Sequence, residues 1–184
     1  VYTLTGTINE ESFGDMGNKT YTLSELVDII GSVTEETTVA TPESLVAAVA
    51  AGGKVKLGMS MTLDEPLILS NDVSLNLNGK TLTGTFREAC IKSSGNLSIS
   101  NGYITNVGGA VLTTGGTLNM TDCKVTMTGS YRENAVEITG KTQAEITGGW
   151  YKATGTLAAG EATDWYGIGI VDGTCMVGEY AKIH

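Results

Sequence analysis

The fold of this chain follows from one stretch, Leu75-Asn76-Leu77-Asn78-Gly79-Lys80-Thr81-Leu82, whose pattern returns three times further along. The later copies begin at Leu97, Leu118 and Ala144, at offsets of 22, 21 and 26 residues. Internal repeats with a period of about 20 to 30 residues are typical of solenoids, in which each unit buries its apolar side by stacking on a neighbour. We therefore expect a stack of short coils.

Apolar and polar residues alternate within each copy, as they do in a strand with one buried face. The first, third and eighth positions are apolar in the four copies, and we expect these side chains to point inward. The fifth position holds Gly79, Asn101, Asp122 and Gly148, which are residue types that accept a positive φ or bond their own backbone. Each copy is therefore predicted to be a strand, a tight corner and a second strand.

A third short strand precedes each later copy. The segments that end at Gly95, Gly115 and Gly140 align on these closing glycines, and the segment from Gly167 to Gly173 is a looser member. Three short strands per turn favour an all-β parallel β-helix of about four to five coils. A β-sandwich whose strands only look alike is the alternative.

The N-terminal region differs from the repeats in charge. Residues 1 to 43 contain eight carboxylates and one lysine, so they carry most of the formal net charge of −9. We divide the chain into two parts. Residues 1–40 are predicted to be an acidic docking or appendage region that forms a small α/β unit. Residues 41–184 are predicted to be a β-helix with an N-terminal capping helix. The acidic region serves either as a docking surface or simply as a solvated face. An acidic chain lacks the basic stripe that nucleic-acid binding requires.

Two helices are predicted before the first coil. Thr22 is the N-cap of one helix, which continues to about Ile30. Thr41 caps the second, with Pro42 in its first turn, and this helix should end at Gly52–Gly53 and close the open end of the coil stack. Its apolar stripe is expected to comprise Leu45, Val46 and Val49. Further inward positions are predicted at Val55, Leu57, Met59, Met61 and Leu63.

The run from Thr41 to Gly84, with its capped helix and the stretch Asp72-Val73-Ser74 that leads into the first repeat, resembles a known family. It is similar to the opening of the right-handed parallel β-helices of the pectate-lyase-like superfamily, as found in bacterial surface proteins and in phage spikes and fibres. The resemblance covers about residues 41 to 178. It implies the fold, whereas that scaffold carries lyases, hydrolases, adhesins and virion parts alike.

The residues argue against an enzyme. The resemblance implies that an enzyme of this superfamily would place several carboxylates on one strand face for calcium, with an Arg or Lys as the base. The outward repeat positions hold one carboxylate, Glu145. Other candidates for a catalytic pair are Asp122, Glu133 and Glu137, with Arg132. The single histidine, His184, ends the sequence, so we predict no catalytic site, no metal site and no cofactor.

The cysteines are expected to be free. Cys90, Cys123 and Cys175 are odd in number and lack the CxxC spacing of metal and redox sites. Two of them fall at positions predicted to lie within strands. We therefore interpret them as buried thiols rather than as a disulfide.

Aromatic residues suggest a binding face. The seventh repeat position holds Thr81, Tyr103, Lys124 and Trp150, and Tyr131 lies in the loop between the last two copies. Exposed aromatic rings stack on sugars and anchor protein interfaces. We predict Tyr103, Tyr131 and Trp150 as carbohydrate- or partner-binding residues. The alternative is that these rings are isolated, or covered by the loops at 127–133 and 154–166.

Three functions are compatible with these residues. The favoured one is a non-enzymatic structural and binding module of a phage virion, such as a fibre or decoration protein on the virion surface that contacts host glycans. A stack only about 20 Å tall would gain stability as a homotrimer, and the acidic N-terminal region would dock on a virion or surface partner. The alternatives are a segment of an extracellular bacterial cell-surface adhesin and a polysaccharide lyase or hydrolase. No membrane insertion is expected, because no apolar run approaches about 20 residues.

Overall fold

The computed structural model describes residues 36–129, 133–154 and 166–184. These residues form sixteen short strands and one helix. In chain order the elements are β1 (Thr37–Val39), α1 (Pro42–Ala51), β2 (Gly53–Leu57), β3 (Met61–Leu63), β4 (Leu67–Leu69), β5 (Val73–Asn76), β6 (Thr81–Gly84), β7 (Ile91–Ser93), β8 (Leu97–Asn106), β9 (Val111–Thr113), β10 (Thr117–Met127), β11 (Val136–Ile138), β12 (Thr142–Thr147), β13 (Trp150–Ala153), β14 (Ile168–Ile170), β15 (Gly173–Val177) and β16 (Lys182–Ile183).

Every pairing between these strands is parallel, and the strands stack in three columns. One column runs β1-β2-β5-β8-β10-β12-β15, and a second runs β3-β6-β8-β10-β13-β16, because β8 and β10 continue through the corner between the two. The third column is a separate sheet in the order β4-β7-β9-β11-β14. This arrangement is a β-solenoid of about four turns, which confirms the predicted all-β parallel β-helix.

The apolar repeat positions fill the inside of the coils, as predicted. The side chains at the first and third positions are buried in all four copies, and so are those at the eighth position, Leu82, Ile104, Val125 and Tyr151. Stacked aliphatic side chains from successive coils therefore form one continuous core. Burial of apolar surface in such a core is the main term that stabilises the fold.

The predicted corners also have the expected backbone. Gly79, Asn101, Asp122 and Gly148 have φ angles of 69°, 58°, 51° and 69°. Glycine adopts this left-handed region at no steric cost, and Asn and Asp tolerate it better than other residues do. The positive φ of this corner therefore explains why the fifth repeat position holds Gly, Asn or Asp in every copy.

The strand register differs from the repeat alignment in the first copy. Leu75 pairs with Ile99 rather than with Leu97, whereas Leu82 pairs with Ile104 as aligned. The corner between β5 and β6 is thus two residues longer than the matching corner within β8. A slip of two residues returns every side chain to the same face, so the alternating pattern could not reveal it.

Helix α1 closes one end of the stack and begins where predicted. The Ser44 amide donates to the Thr41 hydroxyl at 3.2 Å, and the Thr41 amide donates to the Ser44 hydroxyl at 3.1 Å. Leu45 and Val49 are buried, but Val46 is 52% exposed, so its place in the apolar stripe was wrong. Successive helical residues are about 100° apart, which turns Val46 away from the face that Leu45 and Val49 share.

One inward position after the helix was also wrong. Val55, Leu57, Met61 and Leu63 are buried, whereas Met59 is 59% exposed. Met59 lies in the bend between β2 and β3, where the strand alternation is interrupted. A period of two predicts orientation only while the chain stays extended.

The first residues of the described part already pair with the solenoid. In β1, Thr37 pairs with Val55 and Val39 pairs with Leu57. The helix predicted from Thr22 and the acidic docking region up to residue 35 lie outside the described residues. The division of the chain at residue 40 therefore stays a prediction.

Candidate functional site

Two of the three predicted binding residues, Tyr103 and Trp150, fall within the described residues. They lie in one row across the second column of strands. Tyr103 in β8 pairs with Lys124 in β10, which pairs with Trp150 in β13. Thr81 precedes this series and Lys182 follows it. We call Thr81, Tyr103, Lys124, Trp150 and Lys182 the aromatic row. Parallel strands are about 4.8 Å apart, so the two ring-bearing residues are spaced about 10 Å apart.

Each ring of the aromatic row has a cationic neighbour. The Lys124 Nζ lies 5.3 Å from the ring centroid of Tyr103, and the Lys152 Nζ lies 5.8 Å from that of Trp150. The His184 ring packs edge-on against Trp150 with the centroids 5.5 Å apart. Tyr103 and Trp150 nevertheless remain 42% and 41% exposed. At exposed sites such cation–π contacts contribute only about 0.5 to 1 kcal/mol each, and part of each ring remains accessible to solvent.

A row of hydroxyl groups runs beside the aromatic row. Thr62, Thr83, Thr105 and Thr126 pair in register across β3, β6, β8 and β10, and Lys152 follows them in β13. We call these four threonines the threonine row. Residues two apart on a strand point to the same side, at about 7 Å from each other. The threonine row therefore places hydrogen-bonding groups next to the rings.

The lysines on this face have no carboxylate partner in the part of the chain that the structure describes. The ion pairs there join Lys56 to Glu36 and Lys92 to Glu88, at 3.3 and 3.1 Å. Lys124, Lys152 and Lys182 form none of them. In a chain with a formal net charge of −9, these three lysines form a local group of positive charges without a carboxylate partner among the described residues.

Tyr131 is the third residue predicted for this site. Tyr131 lies outside the described residues, as does Arg132, so their proximity to the aromatic row stays a prediction. Sequence reasoning missed the threonine row. The signal for it was present, because the ninth repeat position holds Thr83, Thr105 and Thr126.

A concave surface lies on the sheet of β4, β7, β9, β11 and β14, apart from the aromatic row. It is a cleft of about 240 Å³ that Glu88, Lys92, Glu133, Asn134 and Glu137 help to line. The Gly109 amide donates to the Glu133 carboxylate at 2.8 Å. The Asn134 amide group donates to Glu137 at 3.2 Å, and Lys92 forms its ion pair with Glu88. Each of the three carboxylates thus already has a partner.

Of the four carboxylates considered for a catalytic pair, only two lie in the same cleft. Glu133 and Glu137 line this cleft, whereas Asp122 occupies a corner of β10 and Glu145 points outward from β12. Among the described residues no group of three or more His, Cys, Asp or Glu side chains is arranged to hold a metal ion.

The cysteines are free, as predicted. Cys90 and Cys123 are fully buried, and burial raises the pKa of each thiol to about 12. Cys175 is only partly buried, which corrects the expectation for this residue, although burial raises the pKa of its thiol as well. A thiol with a raised pKa carries little thiolate at neutral pH and is therefore a poor nucleophile.

Comparison of the chain with family models, with curated proteins and with solved structures finds no match. No helix in the described residues is long and apolar enough to cross a membrane.

Proposed function

We propose that this chain is a non-enzymatic structural and binding module that contacts surface glycans through the aromatic row. The observation that carries the proposal is the in-register placement of two half-exposed rings, Tyr103 and Trp150, on one rigid face. Rings held on strands lose little conformational entropy when a ligand binds. This arrangement suits an extended ligand that lies along the coil stack.

Each group on the face has a chemical role in this proposal. The Tyr103 and Trp150 rings stack on the apolar faces of sugars, and their spacing of about 10 Å lets one glycan chain reach both. The threonine row supplies hydrogen bonds to sugar hydroxyl groups. The lysines of this face favour a glycan that carries negative charge, and their contribution should weaken as the salt concentration rises.

The biological setting that we propose is a phage fibre or decoration protein on the virion surface. Its support is the sequence resemblance to β-helices of phage spikes and fibres, together with the small height of the stack. Such a module would associate as a homotrimer and dock on its virion partner through the acidic N-terminal region. Light scattering would give three times the chain mass of 19.1 kDa if the trimer forms.

A bacterial cell-surface adhesin would use the same aromatic row, and a monomeric mass in solution would favour it. A lyase or hydrolase would instead need two or more carboxylates that are directed at one bound substrate. In the cleft the carboxylates of Glu88, Glu133 and Glu137 bond to Lys92, to the Gly109 amide and to Asn134. This is the reason that we place enzymatic activity last.

The test is retention on surface polysaccharide immobilised from a panel of bacterial hosts. We expect Trp150→Ala to weaken binding about tenfold, because central aromatic anchors contribute more than most contacts. Tyr180→Ala is the matched control, since Tyr180 is exposed but lies outside the aromatic row. Equal retention of wild type and Trp150→Ala, with unchanged thermal midpoints, would reject the proposal.

A further inference from the structure

A groove runs along one flank of the capping helix, beside the first coil. It has a volume of about 560 Å³ and lies between α1 and the segment from Leu63 to Ile68, which joins β3 to β4. Ligand-binding clefts of proteins are commonly about 300 to 1,000 Å³. We call this space the lid groove.

The floor of the lid groove is apolar and exposed. Val46, Ala47 and Ala50 line it from α1, on the flank of the helix that does not face the core. Ile68 lines it from β4, where it points outward between the buried Leu67 and Leu69. Val46 is 52% exposed and Ile68 is 58% exposed. Two large apolar side chains on facing elements therefore remain without cover from the described residues.

The rim of the lid groove is acidic. Glu43 stands in the first turn of α1, and Asp64 and Glu65 lie in the connection between β3 and β4. All three are exposed, and none takes part in an ion pair with another described residue. Among the described residues that line the groove there is no Lys, Arg or His.

The apolar floor and the acidic rim of the lid groove together indicate the chemistry of the partner that would bind there. We propose that the lid groove binds a basic peptide segment of a partner protein, with apolar side chains seated on Val46 and Ile68. Lysine or arginine residues on either side of these apolar side chains would pair with the rim carboxylates. Charge complementarity of this kind directs partner choice and speeds association.

The same charges disfavour other occupants. Nucleic acids and anionic lipid surfaces carry the sign of the rim and are repelled by it. A second copy of this chain brings a formal net charge of −9, which also opposes its approach. The basic segment thus attaches at the capped end of the solenoid, on different strands from the aromatic row.

The experiment uses the full chain and a defined probe. The probe is an amphipathic leucine–lysine peptide of about 14 residues, and its counterpart has glutamate in place of lysine. Binding is measured by isothermal titration calorimetry at low and at physiological salt. We expect the lysine peptide to bind and the glutamate peptide to bind at least about tenfold more weakly.

Variants of exposed residues separate the floor from the rim. Ile68→Ser should weaken binding of the lysine peptide about fivefold through lost apolar contact, and Glu65→Gln about threefold at low salt. The matched controls are Met59→Ser and Glu145→Gln, which change exposed residues outside the groove. All four should keep the thermal midpoint of the wild type.

Several results would overturn this proposal. They are no binding of the lysine peptide, equal binding of the two peptides, or equal losses in the groove variants and their controls. A mass that doubles with concentration in wild type but not in Ile68→Ser would instead identify a second copy as the occupant. None of these outcomes depends on glycan binding by the aromatic row.

Discussion

The side chain of Tyr151 allows the packing inside the coils to be tested. Tyr151 occupies the eighth repeat position in β13 and is fully buried. Its hydroxyl group has no hydrogen-bond partner among the described residues. Burial also raises the pKa of Tyr151, which keeps the hydroxyl group neutral. We predict that Tyr151→Phe makes the protein more stable.

The magnitude follows from two opposing terms. A buried hydroxyl group without a partner costs about 1 to 3 kcal/mol, and the substitution removes that cost. The space left by one oxygen atom costs about 0.5 kcal/mol at most. The free energy of unfolding should therefore rise by about 1 to 2 kcal/mol, and the thermal midpoint by about 2 to 4 °C for each kcal/mol.

Urea unfolding of wild type and Tyr151→Phe measures this difference. Tyr103→Phe is the matched control, because Tyr103 is 42% exposed and removal of its hydroxyl group should leave stability nearly unchanged. A loss of more than about 0.5 kcal/mol in Tyr151→Phe would refute the reasoning. It would mean that the hydroxyl group makes a stabilising hydrogen bond within the core.

Two further predictions concern thiol reactivity and acid stability. In the native protein Cys90 and Cys123 should react with a thiol reagent at pH 8 much more slowly than Cys175, since they are fully buried; equal rates under native conditions would contradict their burial. Hydrogen bonds from the side chain and the backbone of Asn96 lower the pKa of Asp72 below its usual value of 3.8. Because the folded pKa lies below the unfolded one, this stabilisation is present above about pH 4 and is lost as the pH falls through the folded pKa. The thermal midpoint of Asp72→Asn should therefore approach that of wild type between about pH 5 and pH 2, and a constant difference over this range would argue against the linkage.

The repeat pattern predicted the fold because one constraint recurs in every coil. An apolar residue must point inward at fixed positions, and each corner needs a residue that accepts a positive φ, such as Asn101 or Asp122. Both constraints are local and leave a direct trace in the sequence. The register of the first coil leaves none, because a slip of two residues preserves the pattern of exposed and buried positions.

Exposure was harder to predict where the chain leaves regular structure. Met59 and Val46 are apolar and lie near correctly predicted core positions, but a bend and the helical rotation turn them outward. The same limit applies to the lid groove, which depends on Val46 and Ile68 facing each other from elements that are distant in sequence. No periodicity within one element can report such a contact.

The candidate site was predicted only in part. Tyr103 and Trp150 were correctly assigned to one outward face, because the repeat alignment places them in the same position. The cation that lies over the Trp150 ring comes from Lys152, and the ring that packs against it comes from the terminal His184. These contacts join a strand to its own continuation and to the next coil, and they became visible only in three dimensions.

The most direct test of glycan binding by the aromatic row is an NMR titration of the labelled protein. The ligand is a polysaccharide on which the protein is retained. We predict that chemical-shift changes cluster on Tyr103, Lys124 and Trp150, and that they extend to Thr105 and Thr126 beside them. Changes confined to the cleft of Glu88, Glu133 and Glu137, or to no defined face, would contradict it.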